Sequence, residues 1–317
     1  MSGSPLPRRA RMGWWGILLL LVALLVIGLA GIALYTQFRM ADVGSLSALG
    51  EGEGVYLIVG SDSRENIPPD LGSFGDFPGA RADVIMLAQV AGDRRQLLSI
   101  PRDLKVEVPG EGTEKINAAY SFGGANLITE TVAQTTGIRP NHYLEIDFAG
   151  FAAIVDALGG IELDFPFPAR DLNSGLLVEV AGNHTVNGAA ALAYARSRQY
   201  EELRGGEWIG ESVAGDLART GRQRHVLLQI MRKASSPTGV LRSPLVMLAA
   251  ASHLKSDAGT TVFDLARLGW GMVTSSETDS ATLPVQISNE GGVSYVVAVP
   301  PSDEVLTAFR NRQPLPS

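Results

Sequence analysis

The chain has 317 residues, 45% apolar and 19% charged, with a net charge of -7. That length and composition supply a sizeable core and exclude a disordered or coiled-coil protein. The negative charge argues against nucleic acid as a partner, since phosphates call for a basic face, and the absence of cysteine excludes a disulfide framework, a zinc-thiolate site and a cysteine nucleophile.

Residues 13–35 are uncharged and almost wholly apolar, long enough to span a bilayer. Trp14, Trp15 and Tyr35 stand near the ends, where aromatic rings favour the membrane interface. Arg8, Arg9 and Arg11 precede the run and only Arg39 follows it. The positive-inside rule then predicts a cytoplasmic stretch at 1–12, a single-pass signal anchor at 13–35 and export of the rest. A cleaved signal peptide is the competing reading. Its apolar core would be shorter, although Leu29-Ala30-Gly31 offers small residues. Residues 36–54 read as a flexible linker, and 55–312 as one extracytoplasmic domain.

Within that domain the continuous apolar run 55–59 predicts a buried strand ending at Gly60-Ser61-Asp62. Residues 66–79 read as a loop, 84–90 and 96–100 as a strand pair, and 105–108 as a short strand. Helical spacing covers 117–136, interrupted by Gly123-Gly124. A strand at 143–148, a helix at 151–158 and a strand at 161–165 follow, then a helix at 189–196. Residues 199–215 read as a polar, glycine-rich loop. A helix then runs to about Lys233, with Asp216 or Thr220 as its cap. Helices near 245–254 and 262–273, a strand at 294–299 and a last helix capped by Ser302 complete the chain. The alternation predicts an α/β fold around a mixed sheet.

Polar clusters sit at the strand ends and in loops, where sites are usually built. Gly60-Ser61-Asp62-Ser63-Arg64 follows the first strand, and Arg81-Ala82-Asp83 precedes the second. If those strands are neighbours, Asp62 and Asp83 converge as a pair suited to Mg²⁺ on a pyrophosphate; taken singly, each reads as a turn residue or cap. Arg102-Asp103 is either an anion site or a local ion pair, and Lys115 either binds an anion or is solvated. Six Arg fall between Arg196 and Arg224, in a chain with only four Lys. Arg219, Arg222 and Gln223 are spaced for one helix face near its N-terminus, which with guanidinium forks makes an anion site. A solvated charged face is the alternative. The four His show no ligand spacing, and the serine-hydrolase elbow, the P-loop and the zinc-protease motif are all missing.

In order, YLIVGSDSR (56–64), RADVIMLAQV (81–90), LLSIPRDLKVEVPGEG (97–112), EKINAAYSFGGANLITETV (114–132), HYLEIDFAGFAAIVDALGGIELDFP (142–166), LAYARSR (192–198) and DLARTGRQRHVL (216–227) resemble the LytR-CpsA-Psr (LCP) family of cell-wall glycopolymer ligases. The matches cover about 55–233. The resemblance implies a central sheet flanked by helices, and an apolar tunnel for a polyprenyl tail. It implies Mg²⁺ on Asp62 and Asp83. The pyrophosphate clamp would be Arg64, Arg81, Arg102, Lys115, Arg196, Arg198, Arg219, Arg222 and Gln223. The catalytic members would be Arg81, Arg102, Arg196, Arg198 and Arg219, with Asp103 and Asp216 orienting arginines.

The implied reaction moves a glycopolymer from a polyprenyl-pyrophosphate-linked donor to peptidoglycan, at the membrane of a bacterial cell. A pyrophosphatase, and a non-catalytic envelope regulator or lipid-carrier binding protein, are the other readings of such a chain. Two features depart from the family pattern: the long 199–215 segment, and Leu104 where Thr or Ser is frequent.

Overall fold

The computed structural model describes residues 28–52, 54–62, 81–91, 94–211, 215–274 and 277–316. After helix α1 (28–39) come strands β1 (Ala41–Asp42), β2 (Val55–Ser61), β3 (Ala82–Ala91) and β4 (Arg94–Ile100). The hairpin β5 (Lys105–Val108) and β6 (Gly112–Lys115) leads to helix α2 (Ala118–Thr136), strand β7 (His142–Asp147) and helix α3 (Phe148–Leu158). Four short strands follow: β8 (Ile161–Phe165), β9 (Ala169–Asp171), β10 (Leu176–Val178) and β11 (Gly182–Val186). Helix α4 (Gly188–Arg196) precedes β12 (Glu201–Arg204) and β13 (Glu207–Gly210). The remainder is α5 (Gly215–Ala234), α6 (Pro237–Ala250), β14 (Leu254–Ser256), α7 (Val262–Thr274), β15 (Glu277–Thr282), β16 (Val285–Glu290), β17 (Val293–Ala298) and α8 (Pro301–Arg310).

The central sheet has the order β1-β14-β7-β2-β3-β4-β15 and is mixed, as the alternation of elements predicts. β2 pairs antiparallel with β3 and parallel with β7. Alternate residues serve two faces. Leu57, Val59, Ile85 and Leu87 join the main core with Ile128 of α2 and Phe309 of α8. Tyr56, Met86 and Ala88 face Leu227 and Leu228 of α5 and Leu265 and Leu268 of α7. Helices cover both faces, so β2 reads as an unbroken apolar run rather than an alternating one. A smaller cluster, with Ile161, Leu163, Phe165, Ala169 and Leu176, holds β8, α4, β9 and β10 together.

Several expectations are corrected. The described residues of the expected 36–54 linker are not flexible: α1 runs to residue 39 and ordered chain follows it. β1 pairs with β14, the Val43 N–H donates to Ser256 O at 2.9 Å, and Leu46 is buried in the main core. The packed domain therefore begins near residue 41, because this stretch supplies apolar side chains that the core takes up. The expected loop at 199–215 contains the hairpin β12–β13, and β12 also pairs with β9. Its turn is Gly205-Gly206, with φ of +61° and +90°, the positive values that a tight hairpin needs. Gly291-Gly292 likewise joins β16 to β17, a hairpin not expected from the sequence. Asp216 and Thr220 lie inside α5 rather than capping it. Ser302 donates its hydroxyl to Pro284 O at 2.6 Å and caps nothing.

The kink foreseen in α2 is present, with non-helical angles at Gly123 and Gly124. Residues 13–27 of the expected span lie outside the described residues, as do the loop 66–79 and Arg64. Among the described residues no helix is long and apolar enough to cross a membrane.

Candidate functional site

Between the α5 face of the central sheet and helices α3, α4 and α5 lies a cavity of about 470 Å³. Its apolar wall comes from Ile58, Val84, Met86, Phe148, Phe151, Leu192, Val226 and Leu227. Gly60 stands on the same wall because a side chain there would collide with Val84, at 2.9 Å from its Cβ. The polar rim carries Asp62, Asp83, Arg196, Arg198, Arg219 and Gln223. Asp62 and Asp83 meet there because β2 and β3 are antiparallel neighbours, with the end of one beside the start of the other. Arg219, Gln223 and Val226 follow one another at helical spacing on α5, so one face of that helix supplies both the polar rim and the apolar wall.

A second cavity, of about 360 Å³, lies beside the first. It is lined by Arg81, Arg102, Asp103, Glu114, Lys115 and Asn117, with Phe122 at its edge. The two cavities share a partition of charge. Arg102 Nη1 meets Asp83 Oδ1 at 2.5 Å, and Arg102 Nε meets Asp103 Oδ2 at 3.3 Å. Lys115 Nζ holds the other oxygen of Asp103 at 2.9 Å. Burial works to raise the Asp103 pKa, but Arg102, Lys115 and Arg219 outweigh it and hold the carboxyl below its ordinary value. Arg219, itself buried, thus lines the first cavity and acts electrostatically on the second.

The candidate residues are therefore divided. Asp62, Asp83, Arg196, Arg198, Arg219 and Gln223 border the first cavity; Arg81, Arg102, Asp103 and Lys115 border the second. Arg222 borders neither. Its guanidinium grips Glu211 at 2.6 and 2.7 Å and donates to Ser197 O at 2.5 Å. Arg222 stands three positions past Arg219, about 60° round the helix from it, and Glu211 and Ser197 draw its guanidinium away from the cavity. The side chain of Asp216 and all of Arg64 lie outside the described residues.

Two acids that sequence reading passes over organise the site. Asp171 is buried and accepts from Ser197 Oγ (2.6 Å), from the Arg198 and Gln199 N–H groups (both 2.9 Å), and from those of Asn173 and Ser174. Burial alone would raise its pKa; these hydrogen bonds prevail and lower it. Asp171 and Arg222 thereby grip Ser197 from two sides and hold Arg196 and Arg198 in place on either side of it. In sequence, Asp171 reads only as the start of an Asp-x-Asn-Ser-Gly turn. Glu145, also buried, accepts from Ser61 Oγ (3.0 Å), Tyr120 OH (2.7 Å), Tyr143 OH (2.9 Å) and Lys255 Nζ (3.1 Å). It ties down the end of β2 directly before Asp62.

Among the described residues no group of three or more acids or His gathers as a metal site. Asp62 and Asp83 on one rim still fit Mg²⁺, which takes one or two carboxylates and completes its shell with water and phosphate oxygens. An apolar wall under a rim of three arginines suits an anion with a hydrophobic tail.

The model of the LytR_cpsA_psr family matches residues 41–311. The probable cell wall biosynthesis protein LcpB of Corynebacterium glutamicum is 38% identical over 226 residues, which make up 68% of this chain and 51% of that protein. The polyisoprenyl-teichoic acid–peptidoglycan teichoic acid transferase TagU of Halalkalibacterium halodurans is 31% identical over 204 residues, covering 63% of this chain and 60% of that one. The match thus spans between half and two thirds of those relatives. Among solved structures, the LytR-Csp2A-Psr enzyme from Actinomyces oris superposes with a TM-score of 0.67 at 30% identity, over 86% of this chain and 96% of that chain.

Proposed function

The chain belongs to the LytR-CpsA-Psr family, and from that premise we propose that it transfers a glycopolymer from a polyprenyl-pyrophosphate carrier to peptidoglycan. The observation that supports this reading is the single cavity that joins an apolar wall to a rim of Arg196, Arg198, Arg219, Asp62 and Asp83. The prenyl tail lies along the wall and the pyrophosphate among the arginines. A hydroxyl of the acceptor, expected to be the C6 hydroxyl of a muramic acid, attacks the sugar-proximal phosphorus. One P–O bond forms to the acceptor, and the P–O bond to polyprenyl phosphate breaks. The acceptor proton passes to a carboxylate of the mouth or to water.

No nucleotide enters this scheme, because the donor carries its own leaving group. Catalysis is then positioning and charge stabilisation. Arg196, Arg198 and Arg219 neutralise the charge that develops on the phosphate oxygens. Asp171 and Arg222 keep two of them in register by gripping Ser197. Asp62 and Asp83 would hold Mg²⁺, which when bound supplies further neutralisation of phosphate charge. The test is incubation of the full chain with a polyprenyl-pyrophosphate glycan and peptidoglycan fragments, read by mass spectrometry. The expected products are a phosphodiester-linked conjugate and polyprenyl phosphate. Free phosphorylated glycan would instead identify a hydrolase, and unchanged bound donor a carrier-binding protein.

The same reading puts the domain outside the membrane on an uncleaved anchor at 13–35, with 1–12 in the cytoplasm. Intact-mass measurement of membrane-extracted protein checks it; loss of roughly the first thirty residues would identify a cleaved leader instead.

A further inference from the structure

Helix α7 and the end of α1, which lie in contact, each expose large apolar side chains. Phe263 of α7 is 76% exposed and Trp270 is 66% exposed. With Ala266 and Arg267, also exposed, they stand at spacings of three, four and seven, which is one helix face. The other side of α7 is committed to the core, where Leu265 and Leu268 pack on the cluster of Tyr56 and Met86. Asp264, the only acid in α7, is occupied at its N-terminus, accepting from the Thr261 N–H at 2.7 Å and the Thr261 hydroxyl at 2.6 Å. In α1, Leu34 and Phe38 are 72% and 86% exposed. The two helices are joined, since the Val262 N–H at the start of α7 donates to Gln37 Oε1 at 2.7 Å. Thr36 and Met40 are buried, so the end of α1 is seated on the domain.

An exposed apolar face of this kind marks a contact surface. The chain itself identifies the occupant. Upstream of α1, residues 13–27 continue its apolar character without a charge, and the combined run is long enough to span a bilayer. A chain leaving the bilayer along α1 therefore delivers α7 to the membrane surface. The exposed face of α7 suits that position: Phe and Trp with an Arg and no acid is the composition of a helix lying in the interface. We propose that α7 rests on the lipid bilayer, with Phe263 and Trp270 at the headgroup–acyl boundary and Arg267 and Arg39 toward lipid phosphates.

This surface depends on the anchor and not on the transfer reading, but it has a consequence for the carrier. Tyr56 at the start of β2 donates its hydroxyl to Asp264 O of α7 at 3.2 Å, and Ser61 ends β2 beside the charged rim. At about 3.3 Å per residue, β2 separates the two by about 17 Å. Ile58, Met86 and Leu227 belong both to the cavity wall and to the cluster packed under α7. A tail on that wall would stay close to the bilayer while its head group reaches the rim.

Because the chain has no cysteine, a nitroxide on a single introduced cysteine reports one position. The full chain is reconstituted in phosphatidylcholine–phosphatidylglycerol bilayers as Phe263→Cys, Trp270→Cys, Leu34→Cys and Leu172→Cys. The last is 81% exposed between β9 and β10 and serves as the aqueous reference. All four sites are exposed, so thermal unfolding should match the unlabelled chain and would reveal any misfolded variant. Labels at 263 and 270 are expected to collide with oxygen and to lose collisions with a water-soluble nickel chelate, as at 34 and opposite to 172. If 34 reads lipid while 263 and 270 read water like 172, the surface proposal is overturned and the anchor stands. If 34 also reads water, the anchor and the surface are both overturned.

Discussion

The two cavities meet at Asp83 and Arg102 and differ in what lies behind the charge. Behind the first is an apolar wall drawn from the sheet and three helices; around the second are Glu114, Asn117, Ser121 and the half-exposed Phe122. Both carry arginine, and a count of basic residues does not tell them apart. Under the proposed function the prenyl tail lies on the aliphatic and aromatic wall of the first, with the donor's head group at its rim. Under that reading the charged and amide side chains of the second, Arg81, Arg102, Glu114, Lys115 and Asn117, would meet a hydrated acceptor glycan approaching the same phosphorus from the other side. A set of basic residues that looks like one clamp in sequence is divided by the fold between two cavities, a donor half and an approach half under the proposed function, with Arg219 lining the first and acting electrostatically on the second.

Substitution at the partition should have the largest effect. Asp83→Ala removes a rim carboxylate from the first cavity and releases Arg102 of the second. It should lower the transfer rate by about 10²–10³-fold, the usual loss when a charge-stabilising group is removed. Asp62→Ala should fall in the same range. Initial rates at saturating donor measure both, and transfer at the wild-type rate by either variant with Mg²⁺ chelated would overturn the metal assignment.

A smaller effect separates the halves. Arg196→Ala, Arg198→Ala and Arg219→Ala should each weaken binding of polyprenyl pyrophosphate about tenfold to a hundredfold, as expected for about 1.5–3 kcal/mol per charge-assisted bond. Lysine at these positions should restore only part of the affinity, since the fork is lost. Arg81→Ala and Lys115→Ala should leave donor affinity within about threefold and raise the KM for peptidoglycan. Equal losses of donor affinity in both sets, measured by titration, would erase the distinction drawn between the cavities.

Asp171→Ala sharpens the comparison from the wall of the first cavity, where Asp171 holds the segment that carries Arg196 and Arg198. It leaves the Ser197 hydroxyl and the Arg198 and Gln199 N–H groups without their acceptor. Urea unfolding of the ligand-free chain should show a loss of about 1–3 kcal/mol, accompanied by weaker donor binding and an unchanged KM for peptidoglycan.

The smallest effect is a pH dependence confined to the second cavity. Asp103 has a folded pKa below its unfolded one, so the native state binds fewer protons and stability rises with pH between the two values. That contribution is complete above the ordinary carboxylate range and disappears as pH falls from about 4 through the lowered value. Asp103→Asn should flatten this part of the acid-unfolding profile, and an unchanged profile would show that the Arg102–Asp103–Lys115 cluster adds no pH-dependent stability.

Much of the fold was legible before any coordinates. β2 and β3 announce themselves as apolar runs, because strands covered on both faces carry apolar side chains at nearly every position. The kink at Gly123-Gly124, the end of α3 at Gly159 and most of the arginines brought to the two cavities were also readable, since glycine and helical spacing act over a few residues. Tertiary structure decided what depends on distant partners. Residues 41–54 look like a linker until β14 and the core receive them, and β12 reads as loop until β9 pairs with it. Arg222 looks equivalent to Arg219 until Glu211 and Ser197 take its guanidinium. Asp171 looks like a turn residue until a loop twenty-six positions away closes over it. Local spacing states which residue types share a face, but the partner across that face, and hence whether an arginine meets a ligand, a carboxylate or a carbonyl, is chosen only when long-range pairing brings distant segments together.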